Sequence, residues 1–201
     1  MSRFLTYHTK HALLVKCIVF MCLFLGYFTA FSQDYRWAVS AGDVGNERSS
    51  RVAIDSNSVY VLGQFTSPTI DFDTSAGGVE LVVGASGAAP TDQDQYIVKF
   101  DTTGAIVWAM EITSVDENVV LDIQAEPLGF TVVGSSKSTT DFDPNTANIV
   151  PIVGSSGFIA RYLDNGASVS LNQVLLIDSA TISGLTTDVD VNYYVCVSFV
   201  G

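Results

Sequence analysis

The chain has 201 residues, 48% of them hydrophobic, and its 21 acidic and nine basic residues give a formal net charge of −12 at pH 7. An acidic surface of this kind repels phosphate backbones, so the composition argues against nucleic-acid binding. The length is sufficient for a buried core.

The first 32 residues have the features of a secretory signal peptide. Three basic residues precede an apolar run over residues 17–31, and Ala30 and Ser32 are small residues at positions −3 and −1 before Gln33. The alternative is a membrane anchor, but a span needs about 20 apolar residues and Lys16 limits this run to 15. We therefore predict a secreted or cell-surface protein without a membrane span after cleavage.

Removal of residues 1–32 changes the chemistry that remains possible. It takes away three basic residues, both histidines and two of the three cysteines, so the mature chain has a net charge of −15 and no histidine. Ser-His-Asp and Cys-His nucleophile systems need an imidazole, and zinc sites need several His or Cys ligands. The remaining Cys196 lies in an alternating apolar run, which predicts a buried free thiol and not a nucleophile.

After residue 33 the sequence predicts short strands and turns, with no convincing helix. Asp101-Thr102-Thr103-Gly104 and Leu163-Asp164-Asn165-Gly166 lie between strand-like runs, and their glycines can take the positive φ of a tight hairpin. The predicted strands, in chain order, are 59–65, 80–83, 96–101, 106–112, 130–135, 149–153, 158–163 and 193–199.

Two copies of one pattern occur about seventy residues apart. Trp37-Ala38 recurs as Trp108-Ala109 and Val61-Leu62-Gly63 as Val132-Val133-Gly134 at an offset of 71, and Asp71-Phe72-Asp73 recurs as Asp141-Phe142-Asp143 at an offset of 70. The offset falls to 62 at Tyr96 and Phe158, which indicates an eight-residue insertion at 88–95 in the first copy. A fixed period is typical of repeat architectures, in which each unit needs its neighbours to bury its apolar face.

The pattern predicts an all-β fold of β-propeller-like blades, each with four or five short antiparallel strands, preceded by an N-terminal signal helix. The predicted boundaries are a first repeat at 33–107, a second at 108–170 and the start of a third, truncated repeat at 171–201, where Tyr194 and Phe199 match Tyr60 and Phe65 at an offset of 134. Because a propeller needs four to eight blades, we expect an incomplete propeller and an N-terminal fragment of a longer protein.

The segments Val-Tyr-Val-Leu-Gly-Gln-Phe at 59–65, Ile-Asp-Phe-Asp at 70–73 and Tyr-Ile-Val-Lys-Phe-Asp-Thr-Thr-Gly at 96–104 resemble the SBBP-type β-propeller repeat of secreted Bacteroidota proteins. The resemblance covers about residues 35–163. It implies a large exported or surface protein, often with a type IX secretion sorting domain, and no such domain is visible here. Thr74 stands where the family usually has Pro, whereas Pro144 follows the pattern.

The Asp-Phe-Asp pairs are the sharpest candidates for a site. Asp71 with Asp73, and Asp141 with Asp143, place two carboxylates on one face of an extended segment, where they could ligate Ca²⁺. The alternative is a structural turn in which Asp caps backbone amides while Phe72 or Phe142 packs into the blade. The EF-hand pattern, with its third oxygen residue, Gly and terminal Glu, follows neither pair.

Other acids and aromatics permit an enzyme interpretation. Carboxylate pairs serve glycosidases, and Asp92 and Asp94 in the 88–95 insertion are acids that do not recur, although solvated loop acids explain them as well. Trp37 and Trp108 could stack on sugars or pack between blades. We expect a structural or interaction module for a protein or glycan partner, without catalysis; the alternative is part of a propeller-based carbohydrate-active enzyme.

Overall fold

The structure is a computed structural model, and it describes Lys16 and residues 36–42, 45–72, 80–82, 94–114, 116, 118–143, 149–150 and 156–199. The chain divides into two compact units, residues 1–36 and 37–201, and the fold below is that of the second. The predicted signal peptide thus lies outside the described residues, apart from Lys16. No helix in the described part of the chain is long and apolar enough to cross a membrane.

Fourteen strands make up the described part of the second unit, and no helix occurs among its described residues. They are β1 Glu47–Ile54, β2 Ser58–Phe65, β3 Thr69–Asp71, β4 Glu80–Val82, β5 Asp94–Asp101, β6 Ile106–Ser114, β7 Asn118–Glu126, β8 Gly129–Ser136, β9 Thr140–Asp141, β10 Ile149–Val150, β11 Ser156–Asp164, β12 Val169–Asp178, β13 Ala180–Thr187 and β14 Tyr193–Phe199.

The strands form small antiparallel sheets, which confirms the predicted all-β class. The first sheet has the order β1-β2-β5-β6 and continues through β9 and β10, and the second has the order β12-β11-β8-β7. The hairpins β13–β14 and β3–β4 are two-stranded. The described sheets do not close into a ring.

Each of the eight predicted segments contains a strand, but six strands escape prediction. In β1 and β12 most side chains are exposed or half-buried and polar residues interrupt the apolar run, so the signal of a buried strand is weak. The strands β3 and β9 are only three and two residues long. The repeat boundary predicted between residues 107 and 108 lies within β6, so the sheets do not begin where the sequence repeats were drawn.

Equivalent strands recur in the first and second sheets. The strand β2 corresponds to β8 at an offset of 71, and β5 begins 62 residues before β11. The β1–β2 ladder has a bulge between Ser49 and Arg51, and the β7–β8 ladder has one between Val120 and Asp122, again at an offset of 71. The β13–β14 ladder repeats this bulge between Ile182 and Gly184. The ladder register therefore shifts at the equivalent position in all three pairs.

Three apolar clusters hold the sheets against one another. The largest lies between the first and second sheets and includes Tyr60, Trp108, Phe130 and Tyr162. Another covers the opposite side of the first sheet, and the third joins the second sheet to β13–β14. We call the side of each sheet that faces the preceding part of the chain its front face, and the opposite side its back face. The back face of the first sheet thus packs on the front face of the second.

Candidate functional site

Asp71 and Phe72, the described part of the first Asp-Phe-Asp segment, lie at the end of β3. Asp71 is half-buried and its backbone carbonyl accepts a hydrogen bond from the Gly42 amide at 3.3 Å. Phe72 is buried and its ring packs edge-on against Tyr96, with centroids 4.9 Å apart. Asp73 lies outside the described residues, so the geometry of the first carboxylate pair is not placed.

The second segment is described in full and packs as a turn. Asp141 Oδ1 accepts a hydrogen bond from the Asp143 amide at 3.0 Å, which is the backbone cap expected of an Asx turn. Phe142 is buried edge-on against Phe158 at 4.9 Å, and its carbonyl accepts a hydrogen bond from the Tyr162 hydroxyl at 2.9 Å. The phenyl ring and backbone thus anchor the turn to the second sheet.

Only the sequence pattern supports a metal site at the two Asp-Phe-Asp segments. Within the described ranges, no three His, Cys, Asp or Glu side chains come together in a group that could hold a metal ion. Asp141 and Asp143 lie on one short turn, but the described residues bring no third ligand to them. Ca²⁺ binding by Asp71, Asp73, Asp141 and Asp143 therefore stays a prediction.

A half-buried carboxylate that the pattern did not single out, Glu111, lies near the contact of β6 with β9. Glu111 is half-buried on β6, and Thr113 of the same strand pairs with Asp141 of β9. Asp94 begins β5 and is buried, so the expectation of a solvated loop acid at this position is wrong. Asp94 lies in the ladder that carries the core of the first sheet, which explains its burial. Asp92 lies outside the described residues.

The surroundings of Glu111 favour its protonated form up to near neutral pH. Burial, followed by the charges of Asp94 and Asp141, raises the pKa of Glu111 from 4.5 to about 7. Among the described side chains, Glu111 Oε2 is a buried oxygen without a hydrogen-bond partner. Sequence inspection could have found this residue, because Glu111 is the one charged residue in the apolar run 106–112.

A buried ion pair joins the first sheet to the second. Lys99 Nζ of β5 donates to Asp164 Oδ2 at 2.7 Å, and both side chains are almost fully buried. The Tyr60 hydroxyl donates to the same oxygen at 2.9 Å, and the Gly166 amide donates to Oδ1 at 2.8 Å. Burial raises the pKa of Asp164, but hydrogen bonds from Lys99, Gly166 and Tyr60 outweigh it and hold the pKa below its usual value. This carboxylate is ionised and fully engaged, which suits structure better than catalysis.

Both tryptophans pack against aromatic side chains. Trp108 is buried between the sheets, with its ring 5.8 Å from Phe130 and its Nε1 3.4 Å from Asp164 Oδ1. Trp37 lies half-buried on the front face of the first sheet, 5.4 Å from the Phe100 ring. This arrangement agrees with the interpretation that the two tryptophans have a packing role.

Cys196 is exposed, so the predicted burial of this thiol is wrong. The side chain lies on β14, where Val195 and Val197 pack on the second sheet. Because side chains alternate along a strand, Cys196 lies on the opposite, back face of the β13–β14 hairpin. The alternating apolar pattern around Cys196 predicted burial. Burial also requires a neighbouring sheet on that face of the hairpin.

Two further acids and two Gly-rich segments add no site geometry. Asp116 is exposed, and its amide donates to the Ser138 hydroxyl at 2.9 Å. Glu117 and the Gly-rich segments at 77–78 and 84–87 lie outside the described residues. Comparisons with protein-family models, curated proteins and solved structures found no match.

Proposed function

We propose that the chain is a secreted or cell-surface β-propeller-type repeat module with a structural or interaction role and no catalysis of its own. The observation that carries this proposal is the recurrence of one sheet plan, with the same strand order and the same bulge, at the offsets of the sequence repeats. Stacked sheets of one plan bury a continuous core and leave loops free to meet a partner.

The chemistry of the described polar clusters also supports a module without catalysis. The carboxylate of Asp164 accepts hydrogen bonds from Lys99 and Tyr60. The carboxylate of Asp141 accepts one from the Asp143 amide of its own turn. The resemblance to the SBBP-type repeat of exported Bacteroidota proteins fits the acidic composition and the predicted signal peptide. The proposed partner is a protein or glycan surface, since a net charge of −15 after cleavage disfavours polyanions.

A carbohydrate-active enzyme is the second candidate, and one observation favours it. Glu111 has a pKa raised to about 7 beside the carboxylates of Asp94 and Asp141. Retaining and inverting glycosidases use a protonated carboxylic acid next to an ionised carboxylate. The roles would be general acid for Glu111 and base or nucleophile for a neighbouring aspartate.

One experiment separates the two candidates. The chain is expressed with its own N-terminal segment and recovered from the exported fraction, and its N-terminus is sequenced. It is then assayed on a panel of polysaccharides for release of reducing ends and on glycan and protein arrays for binding. We expect an N-terminus at Gln33 and binding without release. Release that disappears in Glu111→Gln but persists in the exposed control Asp190→Asn would establish the enzyme instead.

A further inference from the structure

The front face of the first sheet is incomplete compared with the same face of the other sheets. Ile123 in β7 and Leu185 in β13 occupy the position of Val52 in β1, at offsets of 71 and 133. Ile123 and Leu185 are 6% and 9% exposed because each packs in the cluster shared with the preceding sheet, whereas Val52 is 59% exposed. The front face of the first sheet thus has an apolar side chain at the position that is buried in the other two sheets, but here this side chain is exposed.

On the back face of the β13–β14 hairpin, side chains are exposed whose counterparts on the first sheet are buried. Tyr194 and Cys196 correspond to Tyr60 and Leu62 at an offset of 134. Tyr60 and Leu62 are buried against the second sheet, whereas Tyr194 is 57% exposed and Cys196 is also exposed. Each unsatisfied face is therefore one half of a contact that occurs twice inside the chain.

The two faces both present apolar and aromatic side chains. Trp37 and Val39 flank a groove of about 280 Å³ on the front face of the first sheet, which Val52 and Val61 also line. In the internal contact, Tyr60 packs on Phe130 with ring centroids 5.2 Å apart. The counterpart of Phe130 on the first sheet is the smaller Val59, at an offset of 71.

We propose that the front face of the first sheet binds the β13–β14 back face of a second copy of this chain, in a head-to-tail contact. Both internal contacts run in this direction, with the back face of one sheet against the front face of the next. A like-with-like dimer would instead bury two front faces and leave both back faces exposed. Heterologous contacts of this kind form rings or open filaments.

The test is the oligomeric state of the purified chain by sedimentation velocity over about two decades of concentration. Val52→Asp places a charge on the front face and Tyr194→Asp places one on the back face. The control is Leu128→Asp, because Leu128 is 67% exposed on the β7–β8 turn and contributes to neither face. Far-UV circular dichroism checks that each variant is folded, and Val52→Thr, which is close in volume and polar, is the second front-face variant.

We expect the unmodified chain and Leu128→Asp to assemble with concentration, and Val52→Asp and Tyr194→Asp each to be monomeric. An equimolar mixture of these two variants keeps one intact front face and one intact back face, so it should stop at a dimer. Reaction of Cys196 with a maleimide should slow on assembly. A monomeric unmodified chain, an assembling Val52→Asp or a monomeric mixture would overturn the proposal.

This inference extends the proposed structural role and rests on it for the identity of the partner, a sheet of the same repeat. The stacking inference and the proposed function can be overturned independently of each other. A monomeric chain that releases no reducing ends overturns the stacking alone, whereas release that depends on Glu111 overturns the proposed function alone.

Discussion

At the scale of single residues, Asp164 shows how one carboxylate can tie two sheets together. Its partner Lys99 lies 65 residues away in sequence and on the other sheet, and the pair is almost fully buried. Removing one member of a buried pair leaves an uncompensated charge, which is far more costly than losing an exposed pair. The exposed contact between Arg51 and Asp122, at 3.6 Å, joins the same two sheets and provides a natural comparison.

We predict that Asp164→Asn lowers the free energy of unfolding by about 3–5 kcal/mol, because it leaves the Lys99 ammonium buried without a counter-charge. Arg51→Gln should cost no more than about 1 kcal/mol, since solvent screens this pair. Urea denaturation followed by circular dichroism measures both. Equal losses in the two variants would contradict the structural role assigned to the buried pair.

Glu111 should make stability depend on pH. Its pKa is raised from 4.5 to about 7 in the folded chain, so the folded state holds the proton more tightly than the unfolded state. The stabilisation is complete below 4.5 and is lost as the pH rises through about 7. Allowing for the partial exposure of Glu111, we expect a loss of about 1–2 kcal/mol.

The measurement is the urea midpoint at a series of pH values for the unmodified chain and for Glu111→Gln. The amide cannot ionise, so the variant should lose this part of the pH dependence and be the more stable form above about pH 7. Asp190→Asn, at an exposed position, is the control. If Glu111→Gln has the same profile as the unmodified chain, the carboxyl is not protonated in the fold.

At the scale of elements, the hairpin turns follow from local chemistry. Gly104 and Gly166 have φ of +90° and +96°, as predicted from their place after Asp-Thr-Thr and Asp-Asn. Asp101 Oδ1 accepts hydrogen bonds from the Thr103 and Ala105 amides at 2.8 and 3.0 Å, which closes the first turn. These contacts involve neighbouring residues, which is why the sequence reveals them.

The two glycines differ in what surrounds them, and this difference predicts different costs. Gly166→Ala meets nothing within 4 Å, so only the strain of positive φ opposes it, at about 1–2 kcal/mol. In Gly104→Ala the new methyl group would lie 2.8 Å from the Trp37 ring, so Trp37 must also move. We expect Gly104→Ala to be the more destabilising variant in thermal melts and to change the Trp37 fluorescence. Indistinguishable melts would contradict the placement of Trp37 on this turn.

At the scale of the whole molecule, the contact between the first and second sheets carries the largest core. Phe130 lies at its centre, with ring centroids 5.2 Å from Tyr60, 5.8 Å from Trp108 and 4.9 Å from Tyr162. Because the sheets share these rings, each depends on the other for burial. The described unit should therefore unfold as one cooperative body.

We predict one transition for the unmodified chain, coincident by far-UV circular dichroism and tryptophan fluorescence. Phe130→Ala should cost about 3–5 kcal/mol and separate the two probes, because Trp108 loses its packing before the sheets unfold. Phe72→Ala removes an equally buried ring from the front face and should lower stability while the probes stay coincident. Coincident probes in Phe130→Ala would indicate that the sheets do not rely on this ring.

The sequence by itself determined the all-β class, eight of the strand positions, the offsets between equivalent segments and the two turn glycines, because alternation and turn chemistry act over a few neighbouring residues. Only the tertiary structure placed Lys99 beside Asp164, brought Glu111 near Asp94 and Asp141, and decided that Cys196 is exposed while Asp94 is buried. These outcomes depend on which face of a strand meets another sheet, and that packing joins residues far apart in the chain.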